Sequence, residues 1–411
     1  MMWLRSLVIA LFSAVAPYVS ATELADSTLR LDLVLCGQPD GSATVGFVRS
    51  AMWKGWGGRT VNLQSLVREG YSDVTMTDAS NPSDTLFRQS YSILFDEWLT
   101  TPDRPGAQAM EHTLLMPMPR GEAMVTFTLR NSFHRVIASA SKRVSINDLE
   151  MTNYCERAPL PGEQIFCGDS ACIRVAFIAE GFTEAEMPQY IEYARRGVQS
   201  ILATTPYNEF AQYFEFVAIK TPSVQSGVSV PADGIWRQTA FNSSYSTLGF
   251  DRYLTINHIH GLYDALIATP FTHIIVLANS NEYGGGGFYN TYTITAAPIE
   301  KYASVLVHEF GHSFAGLGDE YYYDTEVCDQ MYPDGIEPWE PNITALVDGQ
   351  CKWQPLIDSG EAQLVEGAGY RAKGLWRSAS DCRMRSHQSD FCPVCVDAIR
   401  KLILSLIAEQ K

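Results

Sequence analysis

The chain is poor in charge, and basic residues are the scarcer kind. Charged residues make up 18% of the 411-residue sequence, and 46 acidic residues outnumber 30 basic ones, giving a formal net charge of −16 at pH 7. Binding to nucleic acid draws on clustered Lys and Arg, so no nucleic-acid partner is expected. The four glycines at 284–287 are not followed by Gly-Lys-Ser or Gly-Lys-Thr, which argues against a phosphate-binding loop.

Long apolar runs are missing after the first residues. The run Leu7–Val15 follows the single charge of Arg5 and precedes the small residues Ser20–Ala21. This pattern predicts a secretory signal peptide at residues 1–21. A membrane anchor is the alternative, but a span needs roughly 20 apolar residues and Pro17 interrupts this one. We therefore expect an exported protein, periplasmic or extracellular, with no membrane anchor after signal cleavage.

Apolar and polar residues alternate in the region after the signal peptide. The alternation is clearest in Thr28–Leu35, where every second residue is Leu, and it returns in Val125–Leu129. A period of two predicts half-buried β-strands. Residues 22–145 are therefore predicted to form an antiparallel β-sandwich-like domain without a catalytic cluster. Residues 146–172 have no clear period and are predicted to be a connector.

A second domain is predicted over residues 173–411. The continuous apolar run Val175–Ala179 is typical of a buried strand in an α/β sheet, and a capping box at Thr183 predicts that a helix follows. Further strands are predicted near Phe214–Ile219 and His273–Leu277. Strands and helices alternate up to residue 301, so the whole chain is predicted to be an α+β protein of two domains.

An apolar helical pattern contains His308, Glu309 and His312 in the order HExxH. Residues four apart share one face of a helix, so both imidazoles can bind one zinc ion. Zinc lowers the pKa of a bound water to roughly 7, and a neighbouring carboxylate can take the remaining proton and pass it to a leaving amine. The motif therefore predicts a zinc site with its own base. Histidines packed in an ordinary buried helix are the alternative.

Glycines interrupt and end this helical pattern. Each costs roughly 1 kcal/mol relative to Ala in a helix interior, so Gly311, Gly316 and Gly318 indicate a close approach or a sharp turn. We predict that the helix stops near Gly316. The chain would then turn back and present Asp319 or Glu320 to the same metal.

Nine cysteines lie after the signal peptide, an odd number that leaves at least one unpaired. They are Cys36, Cys155, Cys167, Cys172, Cys328, Cys351, Cys382, Cys392 and Cys395. An exported protein can form disulfides, and local disulfides are the favoured prediction. The Cys-x-x-Cys pair at 392 and 395 also permits a structural zinc site with a second pair, or a redox pair. The sequence leaves the connectivity open.

The glycine-rich segment Tyr283–Thr295 precedes the HExxH helix. A glycine-rich tip that leads into an exposed edge strand would let a substrate backbone pair beside the zinc. An ordinary mobile surface loop is the equally supported alternative.

Several further motifs, separated from one another, occur along the rest of the chain. In the second domain they are VAFIAEGFT, TAFNSSYSTLGFDRYLT, NEYGGGGFYN, HEFGHSFAGLGDEY, DCRMRS and DFCPVC. FDEWLTT at Phe95–Thr101 and NSFHR at Asn131–Arg135 are the motifs of the N-terminal region. In this order they resemble the IgA-peptidase family of secreted bacterial zinc metalloendopeptidases, which is metzincin-like. The resemblance covers most of the chain after the signal peptide.

The resemblance implies a zinc endopeptidase with an α/β metzincin-like metallopeptidase domain. It implies that His308, His312 and an acidic residue hold Zn²⁺ and that Glu309 is the general base. It also implies that Met384, in DCRMRS, is the methionine under the metal, which supplies an apolar floor without coordinating it. A methionine packed in a core is the alternative. The resemblance does not carry over the substrate.

Asp319 is the predicted third metal ligand. The competing candidates are Glu320, Glu326 and Glu337. Metzincins place this ligand six residues after the second histidine, with glycine at the third, but here those positions hold Gly318 and Ala315. A shift of one residue gives Gly316 and Asp319 and keeps the gap of three between glycine and ligand.

The expected partner is a protein or peptide substrate, with a glycoprotein as one option. Two alternatives to an endopeptidase stay open: an inactive metzincin-fold protein that binds glycoproteins, and an exopeptidase. Arg385, Ser386 and His387 are candidates for donating a hydrogen bond to the carbonyl oxyanion, and the sequence does not choose among them.

Overall fold

A computed structural model describes residues 23–101, 106–324 and 330–408 of the chain. The predicted signal peptide and the candidate ligand Glu326 lie outside these residues. Within the described part, no helix is both long and apolar enough to cross a membrane.

Two four-stranded sheets form the N-terminal domain. Their strand orders are β5-β1-β2-β8 and β4-β3-β6-β7, and all neighbours are antiparallel except β2 and β8. The elements are β1 (Leu24–Gly37), β2 (Ala43–Lys54), β3 (Ser72–Asp78), β4 (Thr85–Tyr91), α1 (Leu94–Thr100), β5 (Gln108–Pro119), β6 (Ala123–Arg130), β7 (Val136–Val144) and β8 (Thr152–Asn153). One core joins the sheets, because the leucines of β1 pack in the same cluster as Val125, Phe127 and Leu129 of β6.

Strand β1 is more buried than its sequence pattern predicts. The four alternating leucines are fully buried, as expected, but so are Arg30 and Asp32 on the other face. Those two polar side chains are covered by the second domain, where Arg30 binds the Asp264 carboxylate at 2.7 Å and the His260 carbonyl at 2.9 Å. The strand therefore separates the sandwich core from the interface between domains.

A six-stranded sheet is the centre of the second domain, with strand order β15-β16-β14-β10-β11-β9. The strands are β9 (Gly162–Cys167), β10 (Ile173–Glu180), β11 (Phe214–Ile219), β12 (Ser243–Ser244), β13 (Thr255–Ile256), β14 (His273–Ala278), β15 (Gly285–Phe288) and β16 (Tyr292–Ala296), of which β12 and β13 form a separate pair. The four inner strands are parallel and the two edge strands antiparallel. Strand β9 lies inside the segment that the sequence predicts to be a connector.

Helices cover this sheet. They are α2 (Met187–Ala203), α3 (Ile259–Ala265), α4 (Tyr302–Ala315), α5 (Gln354–Asp358) and α6 (Pro393–Ile407), with short 3₁₀ helices at Glu184–Glu186, Tyr207–Tyr213, Pro231–Asp233 and Thr247–Gly249. The predicted capping box is present, since Glu186 accepts from the Thr183 backbone and hydroxyl at 2.7 and 2.8 Å. Side chains of α2, α4 and α6 share one buried core with the sheet.

A small sheet follows α4 in the chain. It consists of β17 (Tyr322–Tyr323), β18 (Ile343–Thr344), β19 (Val365–Ala368) and β20 (Tyr370–Arg377), with β20 pairing to the other three. Tyr370, at the start of β20, faces the end of α4. This sheet and the start of α6 therefore close the region where α4 ends.

Candidate metal centre

Helix α4 ends in a turn that reverses the chain. Gly316 has φ +60°, a left-handed conformation that glycine adopts readily. Its N–H donates to the His312 carbonyl at 2.8 Å, and the Leu317 N–H donates to the Gly311 carbonyl at 3.2 Å. The helix thus stops where the glycine spacing predicts, and residues 317–320 run back beside its last turn.

Three donor atoms converge beside this turn. The Nε2 atoms of His308 and His312 lie 3.2 Å apart, and Asp319 Oδ1 lies 3.2 Å from the first and 3.3 Å from the second. Ligand atoms at about 2.0–2.1 Å from a tetrahedral zinc are about 3.3–3.4 Å from one another. Among the described residues, no ordinary hydrogen bond reaches Asp319 Oδ1, although the residue is 7% exposed. The three residues therefore fit a zinc ion.

Outer contacts hold each of these side chains in place. His308 Nδ1 lies 2.9 Å from the Arg383 carbonyl, and His312 Nδ1 lies 2.5 Å from the Leu317 carbonyl. Both contacts favour a proton on Nδ1, which leaves Nε2 free to bind a metal. The Tyr370 hydroxyl donates to Asp319 Oδ2 at 2.6 Å. The tyrosine therefore binds Oδ2 of Asp319 and leaves Oδ1, which faces the histidines, free of that hydrogen bond.

The donor side chains carry opposite charges in close contact. Burial alone would lower the pKa of His312, but the nearby Asp319 carboxylate raises it to about 9. Burial alone would raise the pKa of Asp319, but His312 and His308 hold it well below its usual range. Binding of a metal at these three donors would therefore release a proton from His312.

Glu309 lies next to the three donors and is 8% exposed. Its carboxylate and the imidazole nitrogens of His308 and His312 all lie within 4.8 Å of one another. Burial raises the pKa of Glu309, and the two histidines oppose that shift. A buried carboxylate with a raised pKa beside a metal position is suited to accept and return a proton.

The glycine-rich strand β15 packs directly on this helix. A Cβ on Gly285 would lie 2.7 Å from Glu309 Oε1, and one on Gly287 would lie 2.2 Å from the Glu309 carbonyl oxygen. Glycine is needed here for close approach. Strand β15 is at the edge of the sheet, which corresponds to the edge-strand option and not to the surface loop, but Tyr253 forms a parallel bridge to Gly285 on its outer side. A substrate strand therefore does not have a free edge at that residue.

Met384 lies beneath α4. It is fully buried, and its Sδ is 3.0 Å from the position of a Cβ on Gly311, so this glycine makes room for the methionine. The Met384 carbonyl accepts a hydrogen bond from the Glu320 N–H at 2.8 Å. The methionine and the segment that carries Asp319 are thereby joined.

The structure separates Glu320 and Glu337 from the three donors. Glu320 Oε1 lies 3.3 Å from Cys395 Sγ. Glu337 accepts from the Thr344 hydroxyl and the Ala345 N–H at 2.8 and 2.7 Å. Of the described candidates for the third ligand, Asp319 alone lies beside both histidines.

Two residues at the mouth of the site were not singled out as a pair by sequence reasoning. The Tyr283 hydroxyl lies 2.6 Å from His387 Nε2, and the centroid of the His387 ring lies 4.6 Å from that of His308. Burial, followed by His308, lowers the pKa of His387 to about 4, so the ring is neutral at neutral pH. Arg385 is exposed and donates to the Ser380 carbonyl at 3.2 Å. Of these candidates for an oxyanion donor, His387 is the one in contact with a histidine of the site.

The N-terminal domain also reaches the site, through Glu97 of α1. The Tyr253 hydroxyl donates to Glu97 Oε2 at 2.5 Å. Burial raises the pKa of Glu97 to about 7, and the charges of His312, Asp319 and Glu309 all act on it. No catalytic cluster was predicted in this domain from the sequence. Glu97 belongs to the motif FDEWLTT. Nothing in the sequence of this domain indicated that the motif lies near residue 312.

The eight described cysteines are free thiols, and Cys328 lies outside the described residues. The local disulfides predicted from the sequence are therefore absent from this part of the chain. Three of these cysteines, Cys382, Cys392 and Cys395, instead form a buried cluster with Glu320.

Comparison with known proteins assigns both domains. The family described as IgA Peptidase M64 matches residues 166–363, and the family described as Peptidase M64 N-terminus matches residues 21–140. The first match includes α4 and Asp319 but ends before Met384 and the cysteine cluster. No individual curated protein gives a significant match. The two matches cover most of the chain in the expected order, and the protein therefore belongs to the IgA peptidase M64 family of peptidases.

Proposed function

We propose that this protein is an exported, zinc-dependent endopeptidase with a metzincin-like catalytic domain. The observation that carries the proposal is the near-equal spacing of three donor atoms, 3.2, 3.2 and 3.3 Å, with the Glu309 carboxylate beside them. His308, His312 and Asp319 would hold the metal. Export rests on the signal-peptide pattern of residues 1–21.

Each group of the site has a part in peptide hydrolysis. When bound, zinc would polarise the scissile carbonyl and acidify a water molecule. Glu309 accepts the proton of the attacking water and returns it to the nitrogen of the leaving amine. Its raised pKa favours the first of these transfers, because a carboxylate with a higher pKa is a stronger base towards the attacking water. No covalent intermediate with the protein is needed.

The Tyr283 and His387 pair is placed to bind the carbonyl oxygen of the substrate. Tyr283 is 39% exposed, so this pair borders the open side of the site. A hydroxyl or a neutral imidazole can donate one hydrogen bond to the oxyanion that develops at the carbonyl carbon. Met384 packs below α4 on the other side and supplies a buried apolar floor.

Metal removal tests this proposal on the full-length mature protein. Dialysis against a chelator should abolish cleavage of internally quenched peptides blocked at both termini, and added zinc should restore it. Persistent cleavage after the metal has been removed would contradict zinc dependence.

The same peptides distinguish the two rival functions. An exopeptidase would cleave peptides with free termini and leave the doubly blocked ones intact. A binding module with a peptidase fold would cleave neither set while its zinc content stayed full. The general base argues against a binding module, because Glu309 has no role in binding a glycoprotein.

A further inference from the structure

A second group of metal-binding side chains lies close to the first. Glu320, Cys382 and Cys395 are 0% exposed and Cys392 is 4% exposed. Cys382 Sγ and Cys395 Sγ are 3.7 Å apart, and Glu320 Oε1 is 3.3 Å from Cys395 Sγ and 3.7 Å from Cys392 Sγ. The four donors come from three separate parts of the chain: the segment after α4, the loop before Met384, and the start of α6.

These distances are those of ligands around one zinc ion. Two sulfurs at about 2.3 Å from a tetrahedral zinc lie about 3.8 Å apart, and a sulfur and a carboxylate oxygen about 3.5 Å apart. Glu320 Oε2 has no hydrogen-bond partner among the described residues, although the side chain is fully buried. A buried carboxylate oxygen without a partner is costly unless a cation neutralises the carboxylate.

Backbone N–H groups point at two of the three sulfurs. The Cys392 N–H donates to Cys382 Sγ at 3.2 Å, and the Cys395 N–H points at Cys392 Sγ from 3.5 Å. Cys392 is the residue before the first turn of α6, a 15-residue helix whose N-terminus favours negative charge. The Asn342 side-chain amide donates to Glu320 Oε1 at 2.9 Å and fixes that oxygen in the cluster.

We propose that Glu320, Cys382, Cys392 and Cys395 form a second zinc site, structural rather than catalytic. Four protein donors close the coordination sphere and leave no position for substrate, which is the pattern of structural zinc sites. The proposal stands independently of the proposed peptidase activity, because it uses none of the residues of the first site.

A disulfide is the competing explanation, and it accounts for less of the cluster. Any one disulfide among three cysteines leaves the third thiol and the Glu320 carboxylate buried together without a cation. A metal satisfies all four side chains at once. It would also fasten Glu320, and with it the neighbouring Asp319, to the Met384 loop and to α6.

Metal counting on the purified mature protein tests the proposal. We expect two zinc ions per chain in the wild type, and one in each of the double variants His308→Ala/His312→Ala and Cys392→Ser/Cys395→Ser. Cys167→Ser, which removes an exposed thiol, should keep two. A metal content in the cysteine variant equal to that of the wild type, both purified and dialysed with zinc present, would overturn the proposal.

Cobalt substitution gives a measurement that needs no variant to fold. Cobalt bound by thiolates shows a strong near-ultraviolet charge-transfer band, which the wild type should have and which histidine and carboxylate ligands do not produce. The histidine variant should keep this band even if the proposed peptidase activity is wrong. Absence of the band in cobalt-loaded wild type, or a disulfide between any two of the three cysteines by mass spectrometry, would contradict the second site.

Discussion

Asp319 and Glu320 are neighbours in the chain, yet their carboxylates belong to different clusters. Asp319 Oδ1 lies beside two imidazoles, while Glu320 Oε1 lies beside two thiols. Asn342 holds the residue that precedes them, since its side chain exchanges two hydrogen bonds with the Gly318 backbone at 2.8 and 2.9 Å. The two side chains of one short turn therefore face two different clusters of potential ligands.

Substitution of each acid separates the two roles. We predict that Asp319→Ala loses the metal of the histidine site together with peptide cleavage. Glu320→Ala should keep the histidine-bound metal and lose the other one. Total metal content would be the same for both variants, so the measurement is the cobalt spectrum, which should keep its thiolate band in Asp319→Ala. If Glu320→Ala lost the histidine-bound metal and Asp319→Ala kept it, the assigned register would be wrong by one residue.

The hydroxyl of Tyr370 is predicted to tune metal affinity through Asp319. Tyr370→Phe removes the 2.6 Å hydrogen bond to Asp319 Oδ2. Loss of such an outer contact typically weakens metal binding by about 10–100-fold. Competition with a chromophoric chelator measures the change. Tyr332→Phe is a matched control, because Tyr332 is also buried but bonds Glu340 at 3.1 Å. An equal loss in both variants would show that the effect is general to buried tyrosines.

Among the elements, strand β15 and helix α4 pack closely because the strand carries glycines where a side chain would clash with the helix. A Cβ on Gly287 would meet the Glu309 carbonyl at 2.2 Å and His312 Cβ at 2.7 Å, whereas one on Gly286 would meet only a Tyr253 ring carbon at 3.2 Å and softer contacts beyond. We predict that Gly287→Ala destabilises the protein by about 1–3 kcal/mol through overpacking and displaces α4.

Gly286→Ala is the matched control for this prediction. It should change the unfolding midpoint little, because an aromatic ring can shift by a few tenths of an ångström. Thermal unfolding and metal content of the two variants give the answer. Equal tolerance of both substitutions would mean that α4 and β15 are not in the close contact described.

Local pattern predicted several elements well. The capping box at Thr183 starts the 3₁₀ turn that leads into α2, and Gly316 ends α4 because its left-handed conformation is intrinsic to glycine. Strand β9 was missed, because six half-exposed residues at a sheet edge carry little periodicity. The cluster of Glu320 with three cysteines could not be predicted from the sequence either. Cys392 and Cys395 were visible as a pair, but their partners at 320 and 382 are brought in by folding alone.

At the scale of the whole molecule, buried ion pairs join the two domains. Arg30, fully buried, binds Asp32 and Asp264 at 2.7 Å each, and Arg49 binds the same two carboxylates at 2.6 and 2.7 Å. The sequence predicted a half-buried strand here, because its alternation describes one sheet and says nothing of a second domain packed on the outer face. Together with Glu97, this network joins the β-sandwich to the domain that carries the candidate metal centre.

Arg30→Ala is predicted to destabilise the protein by about 1–3 kcal/mol, because the buried Asp32 carboxylate loses one charged partner and keeps only Arg49 and Thr113. Denaturant unfolding measures the change. Lys54→Ala removes an ion pair on the exposed side of the sandwich, where the Lys54 and Glu156 side chains are 69% and 91% exposed, and should leave the midpoint unchanged.

The stability difference between wild type and Arg30→Ala should depend on pH in a defined direction. Burial alone would raise the pKa of Asp32, but Arg30 holds it below its ordinary value of 3.8. A lowered pKa contributes stability that is complete above the ordinary value and is lost as the pH falls through the folded-state value. The difference between wild type and Arg30→Ala should therefore shrink in strong acid. A difference that grew with acidity would contradict this role of Asp32.

The central claim is that Glu309 acts as the base of a metal-dependent endopeptidase, and one measurement tests it most directly. Wild type and Glu309→Gln, matched for zinc content, are each incubated with a mixed proteome, and new internal N-termini are mapped by mass spectrometry. We predict that the wild type cleaves inside polypeptide chains. At the same zinc content, the Glu309→Gln variant should cleave at a rate lower by at least about 10²–10⁴-fold. Equal cleavage by both proteins, or none by a zinc-loaded wild type, would contradict it.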